Sequence, residues 1–358
     1  MSPIQRSLPL ARWTQETGSH RAGELLREGR ANERGGCIEE ALQCYAAAID
    51  AAEQGADRAV LAESLRRLGI LHHQGNERVL AHQFCERSHG IAIELGNAVL
   101  AAEALNALGG FDFERGAIEV AREKFEEALE LGGGNPDLRG RAEQNLGILA
   151  NIQGALAEAK AHYQQSLSAF KSIGDDRGCA IAYHNLGMAS ADGERWDDAD
   201  GYFQRSLDIA LAIGDLHLQG LGLLNHAEVH LARGDYDRAR QNAETALGIF
   251  DQLGCKLDKA DAYKVIGRAY RETNRYPLAE SRLRSAMELA ASTGSILSEA
   301  EASRELALLY EVMGRKQEAL EFLNAAERLF GRLNARDDLA DVSTRIDDLE
   351  RTLAAAAN

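Results

Sequence analysis

The chain repeats itself with a period near 40 residues. Leu68-Gly69, Leu108-Gly109, Leu146-Gly147, Leu186-Gly187 and Ile266-Gly267 are separated by 40, 38, 40 and 80 residues, and His226-Ala227 fills the skipped step. Extrapolation adds Glu28-Gly29 before them and Leu306-Ala307 after them, which makes eight units. Thirteen residues beyond the first position of each pair stands alanine, without exception: Ala41, Ala81, Ala121, Ala159, Ala199, Ala239, Ala279 and Ala319. Seven residues further on is Ala or Ser: Ala48, Ser88, Ala128, Ser166, Ser206, Ala246, Ala286 and Ala326. Between these two positions lies a larger residue in six units, Tyr45, Phe125, Tyr163, Phe203, Leu283 and Leu323, while Cys85 and Ala243 depart. Length alone would divide 358 residues into two or three independent domains. A sustained period instead predicts stacked units that share one continuous core.

Each unit reads as two helices. Apolar residues recur at helical spacing, as in Leu65, Leu68 and Leu71, or Leu105, Leu108 and Phe111. A glycine then interrupts the pattern (Gly75, Gly116, Gly154, Gly193, Gly234 or Gly314) and a second apolar helix follows. That second helix ends on Gly96, Gly174, Gly214, Gly254, Gly294 or Asn334, residue types that tolerate the left-handed conformation closing a helix. The small residues have a steric reason: antiparallel helices approach closely only where one presents Gly or Ala to a larger partner. Composition agrees, with 6% aromatics, 45% hydrophobic residues and four prolines. The fold class is all-α.

The pattern resembles the tetratricopeptide repeat (TPR), which places Leu-Gly in a first helix and Ala, an aromatic and Ala in a second. The resemblance covers roughly residues 20–334. The period departs from the family's usual spacing of about 34, and the proline that normally follows the second helix is absent. Long-period arrays of this kind are similar to those of kinesin light chains, spindle-orientation adaptors and bacterial signalling proteins. The resemblance implies a right-handed α-solenoid of eight TPR helix pairs plus a C-terminal capping helix. It also implies a protein or peptide partner in a concave groove, and no active site within the repeats. Asn145, Asn185 and Asn225 precede the reference Leu or His in three successive units. In the kinesin light chain group Asn at this register forms a ladder that holds an extended peptide, which implies the same role here. A carboxamide suits that task because it donates and accepts without dictating side chains. Local bridging between helices is the alternative.

Lys264, Arg268 and Arg271 are spaced i, i+4, i+7 on one helical face, with Arg304 in the next unit. This basic stripe suggests an acidic ligand end or a terminal carboxylate; the alternative is pairing with Asp261, Glu272, Glu301 or Glu305. In Phe111-Asp112-Phe113, register directs Phe111 to the core and Phe113 to the groove as an aromatic anchor; burial of both is the alternative.

Other classes are excluded as expectations. A net charge of −16 disfavours nucleic-acid and anionic-membrane binding, and no stretch of 18 apolar residues occurs. Neither GxxxxGK[ST] nor GxSxG is present, and no acid, base or nucleophile is seen to converge. No catalytic residue, cofactor or metal ligand is assigned. His226 and His230 share a face, but the motif lacks the Glu that HExxH requires, so His226 reads as a packing residue, as do His72, His73 and His82. Cys37, Cys44, Cys85, Cys179 and Cys255 have no CxxC spacing and read as small buried hydrophobes in a reducing, cytoplasmic setting.

The expected organisation is an N-terminal extension over 1–19, repeats over 20–334 and an amphipathic helix over 335–358. The glycine-rich segment 131–136 is either a shortened loop or a hinge. Leu339, Val342, Ile346, Leu349 and Leu353 form a narrow seam, read as a cap over the last repeat. A homodimer coiled coil, or a signalling helix, is the alternative. Residues Ala319 through Glu350 resemble segments that precede HD-GYP phosphodiesterase output domains. The functional expectation is a non-enzymatic scaffold; the alternative is a sensor region that controls an output domain, enzymatic or DNA-binding.

Overall fold

A computed structural model describes residues 10–34 and 37–357 of the chain. The first nine residues of the expected extension therefore lie outside the described residues, and the remainder of it belongs to the first helix. Seventeen helices are present among the described residues. They are α1 (Leu10–Arg34), α2 (Ile38–Gly55), α3 (Arg58–Gln74), α4 (Arg78–Glu94), α5 (Ala98–Glu114), α6 (Ile118–Gly132), α7 (Pro136–Ile152), α8 (Leu156–Ile173) and α9 (Asp176–Asp192). The series continues with α10 (Trp196–Ile213), α11 (Leu216–Ala232), α12 (Tyr236–Leu253), α13 (Lys256–Glu272), α14 (Tyr276–Thr293), α15 (Ile296–Val312), α16 (Lys316–Leu333) and α17 (Arg336–Ala357). Odd-numbered helices are the first helices of the eight pairs, and α17 follows the last pair. The chain divides into two compact units, Met1–Phe111 with Glu123–Leu138, and Asp112–Arg122 with Arg139–Asn358.

The periodic small residues are the inner surface of every pair. All eight alanines of the first register are fully buried, and the Ala or Ser residues seven positions later are at most 2% exposed. Ser88 Oγ donates to the Ala62 carbonyl at 2.6 Å and Ser206 Oγ to the Ala180 carbonyl at 2.8 Å, each bond joining the two helices of one pair. In the first unit the glycine of the reference pair lies directly beneath the larger residue of the second helix. A Cβ at Gly29 would sit 2.5 Å from the Tyr45 ring, one at Gly69 2.7 Å from Cys85 Sγ, and one at Gly109 2.6 Å from the Phe125 ring. The second unit repeats the contact between Gly147 and Tyr163, Gly187 and Phe203, and Gly267 and Leu283. The residue that covers Gly187 is thus Phe203, and Ala199, one turn earlier, is fully buried in a cluster with Phe203 and Val229.

Helix ends follow the sequence signals with two changes. Gly96, Gly174, Gly214, Gly254, Gly294 and Asn334 all adopt positive φ. At the ends of α3 and α9, however, the left-handed residues are Asn76 and Glu194, one position after Gly75 and Gly193. First helices are capped by a side chain at one register. Asp57, Asn97, Asn135, Asp175, Asp215 and Ser295 accept from the backbone N–H three residues on. In α13 that register holds Cys255, which makes no cap; a missing cap forgoes roughly 0.5–2 kcal/mol.

Within the glycine-rich segment 131–136, α6 ends at Gly132 and residues 133–135 turn into α7. Pro136 opens α7, where its missing N–H costs nothing, and Asn135 Oδ1 accepts from the N–H groups of Asp137 and Leu138. At the other end, α17 packs on α16 and buries Val342, Ile346 and Leu349. The seam of the last helix is therefore already covered within the chain, as a cap requires. Of the cysteines, Cys85 and Cys179 are the buried hydrophobes expected; Cys37 is exposed, and Cys44 and Cys255 are half-buried. Burial pushes the Cys85 thiol up to about 12. Among the described residues no helix is long and apolar enough to cross a membrane.

Candidate functional site

Four successive first helices of the second unit build a cavity of about 240 Å³. Helix α9 contributes Met188 and Asp192, α11 Glu228, α13 Lys264 and Arg268, and α15 Glu301, Arg304 and Glu305; Trp196 and Phe203 of α10 close one side. The lining holds four carboxylates against three cations, so it is charge-balanced to slightly acidic.

Each cation of the predicted stripe has a carboxylate partner. Lys264 Nζ donates to Glu301 and, at 3.2 Å, to Asp261. Arg268 donates to Glu228 at 2.5 Å and lies 3.7 Å from Glu305. Arg271 donates to Glu305 at 2.6 Å and to Glu272 at 3.0 Å, and Arg304 is paired with Asp338. The pairs with Glu301, Glu228 and Glu305 cross from one repeat to the next, so intramolecular pairing, the alternative open in the sequence, describes this face. The electrostatics follow. Burial works to raise the Glu301 and Glu305 carboxyls, but Lys264 outweighs it at Glu301, and Arg268 and Arg271 do so at Glu305; both are held below the usual range. Burial also works against the Lys264 ammonium, yet Glu301 and Asp261 drive its pKa upward, and Glu228 does the same to Arg268. These charges remain fixed across the physiological range.

Asp192 differs. It is exposed at the mouth of the cavity, and Asn151 Nδ2 donates to its Oδ2 at 2.6 Å. Protein mass around it withdraws part of its hydration, and Glu301, Asp338 and Glu228 add repulsion. Its carboxyl is pushed up to about 6, with the Asn151 bond working in the opposite direction. Sequence reasoning missed Asp192, Glu228 and Trp196. Asp192 stands seven residues after Asn185, two turns along the same helix face, and that spacing was the available signal.

The asparagine register is turned inward. Asn185 is 8% exposed and Asn225 5%, and Asn145 is half-buried. The Asn225 amide meets His184 Nδ1 of the preceding first helix at 2.7 Å, which is the bridging role rather than a rung displayed to solvent. Asn185 Nδ2 is buried without a hydrogen-bond partner. The same register continues to Val265 and Glu305, both buried, so it belongs to the contact between first helices. Phe113 is half-buried, and so is Phe111, which stacks on His73 at 4.1 Å and lies 6.4 Å from His82. Burial lowers the His73 pKa. His226 bonds Asp200 at 3.1 Å, and Arg233 takes the other oxygen of that carboxylate at 3.0 Å. These histidines pack as expected.

Comparison with known proteins agrees with the helix-pair architecture. Residues 138–212 and 219–292 match one model of the tetratricopeptide repeat, and residues 264–332 match another. The chain is 27% identical over 307 residues to the 43 kDa receptor-associated protein of the synapse of Tetronarce californica, covering 79% of this chain and 70% of that protein. Among solved structures, a Rap protein complexed with competence and sporulation factor superposes with a TM-score of 0.61 at 14% identity, over 95% of this chain and 99% of that one. A STAND signal-transduction ATPase with a tetratricopeptide repeat sensor, from Pyrococcus horikoshii, gives 0.59 at 15% identity, over 98% of this chain but 55% of that one. The repeat models together span just over half of the residues, and the chain belongs to the tetratricopeptide repeat family.

Proposed function

We propose that the second unit binds a segment of a partner protein at the cavity formed by α9, α11, α13 and α15, and that a basic side chain of the segment seats at Asp192. The repeat fold is typical of protein-interaction scaffolds and of regulatory sensor domains. The observation that carries the finer reading is the contrast in pairing. Lys264, Arg268 and Arg304 are each paired with a carboxylate, whereas the side-chain bond to Asp192 comes from a neutral amide, Asn151, and Glu301, Asp338 and Glu228 repel its charge. An acidic ligand end would have to displace Glu301, Glu228 or Asp338. A cation at Asp192 relieves repulsion already present. Met188 and Trp196 beside it offer apolar and aromatic surface for the stem of a Lys or Arg. The paired cations serve in this reading as a rigid, polar wall that sets which neighbours of the basic residue are tolerated.

An array of extended peptides that differ only in charge pattern tests this. The parent protein should select segments with a central Lys or Arg. Asp192→Asn should lose about tenfold in affinity for them, roughly 1.4 kcal/mol. Selection of acidic segments, or equal binding by the variant, would return the site to the basic-stripe reading. A second reading, a sensor region whose output lies elsewhere, draws on the sensor role named for the STAND protein. It uses the same site and differs only in what binding controls.

A further inference from the structure

Away from the cavity lies a second group of side chains with ligand chemistry. His217 in the first turn of α11, Cys255 at the N-terminus of α13 and Asp258 in the first turn of α13 bring an imidazole, a thiol and a carboxylate together. One ligand atom from each lies within 4.8 Å of the other two. His217 Nε2 and Asp258 Oδ2 are 3.0 Å apart. The group is accessible, since the side chains of His217 and Asp258 are 34% and 22% exposed.

A separate observation concerns Cys255. At its register, α3, α5, α7, α9, α11 and α15 all carry an Asp, Asn or Ser that caps the helix. Cys255 gives up that bond. Its side chain is instead near the imidazole of the neighbouring first helix and the carboxylate one turn along its own. A thiol in place of a capping oxygen is a loss for the helix and a gain only for a group that prefers sulfur.

We propose that His217, Cys255 and Asp258 bind one divalent cation of the zinc class and so clip α11 to α13. Imidazole nitrogen, thiolate sulfur and carboxylate oxygen are the donor types such an ion takes, and three protein ligands leave a fourth position for water. On binding, the Cys255 thiol releases its proton to solvent and coordinates through sulfur. The His217–Asp258 hydrogen bond opens, and both groups turn their lone pairs to the ion. Two of the ligands carry negative charge, which matches the dication. Sequence spacing does not group the three residues, because His217 lies one repeat upstream of Cys255 and Asp258.

The test uses the full chain, freed of metal by a chelator, with Zn²⁺ alone as the probe and Co²⁺ as its spectroscopic substitute. The parent should bind one equivalent of Zn²⁺, and its melting temperature should rise. Co²⁺ should give a thiolate charge-transfer band together with tetrahedral visible bands. Cys255→Ser and His217→Ala should each bind at least about tenfold more weakly, and Cys255→Ser should lose the charge-transfer band. Asp258→Asn, which keeps size and shape, supplies a third variant, and circular dichroism checks that all are folded. Cys37→Ser, at an exposed cysteine, should bind like the parent. No stoichiometric Zn²⁺ in the parent would overturn the proposal. So would a full equivalent retained by folded Cys255→Ser, His217→Ala and Asp258→Asn. No peptide enters this experiment, so its result stands apart from the binding reading above.

Discussion

The pairs α9–α10 and α11–α12 solve one packing problem in opposite ways. In the first, Gly187 makes room and Phe203 fills it, with the ring fully buried. In the second, the same two registers hold Ala227 and Ala243, both fully buried. One pair combines the smallest residue with a large one, and the other combines two of intermediate-to-small size. What the eight units share is a Gly or Ala on the first helix at this contact, while the residue that faces it varies from Phe to Ala. The reference Leu shows the same tolerance. Leu186 is 2% exposed, whereas His226 at that register is half-buried and spends a ring nitrogen on Asp200.

The largest expected effect distinguishes the two pairs directly. Phe203→Ala empties the space above Gly187 and should cost about 3–5 kcal/mol in chemical denaturation, while Ala243→Gly should cost about 1 kcal/mol, the helix-propensity term. Equal losses would mean that the ring is not the filling element. Transplanting one solution into the other is the sharper experiment. Ala243→Phe alone should overpack by about 1–3 kcal/mol, and adding Ala227→Gly should recover most of that. A double mutant no better than the single one would mean that a glycine at 227 does not make room for a ring at 243. Gly187→Ala should destabilise by about 1–3 kcal/mol despite alanine's better helix propensity, because its Cβ meets Phe203. The smallest effect belongs to the charged face. Asp192→Asn removes a carboxylate crowded by Glu301, Asp338 and Glu228. Since a raised carboxyl pKa means that ionisation opposes folding above it, the variant should melt slightly higher near neutral pH, by under about 1 kcal/mol for a solvent-screened group.

The fold was legible in the sequence because its determinants are local and repeat. The alanine register, the Leu-Gly pairs and the left-handed helix ends each recur at a fixed interval, and a steric reason attaches to each. The site was less so. The basic stripe could be seen, but its neutralising partners Glu301 and Glu228 stand 37 and 40 residues away from Lys264 and Arg268. Which carboxylate meets which cation depends on how neighbouring first helices stack. The asparagine register could not be placed from the sequence for a related reason. A row at constant spacing marks a shared environment, but only the stacking of first helices decides whether that environment is solvent or the adjacent helix. Asp192 escaped notice because a carboxylate without an ion-pair partner leaves no mark in the sequence, and the grouping of Cys255 with His217 and Asp258 because His217 belongs to the preceding repeat.

The central claim, that a basic segment is held by Asp192, is tested most directly by affinity as a function of pH. The free carboxyl titrates at about 6, and only its ionised form attracts a cation. The Lys264, Arg268, Glu301 and Glu305 charges stay fixed meanwhile. A peptide with a central Lys or Arg should therefore hold its full affinity at about pH 8 and lose about fivefold by about pH 5, where roughly a tenth of Asp192 remains ionised and the protonated form binds like Asp192→Asn. Asp192→Asn should bind weakly and without that slope. An unchanged affinity in the parent across this interval, or an equal slope in the variant, would contradict the account.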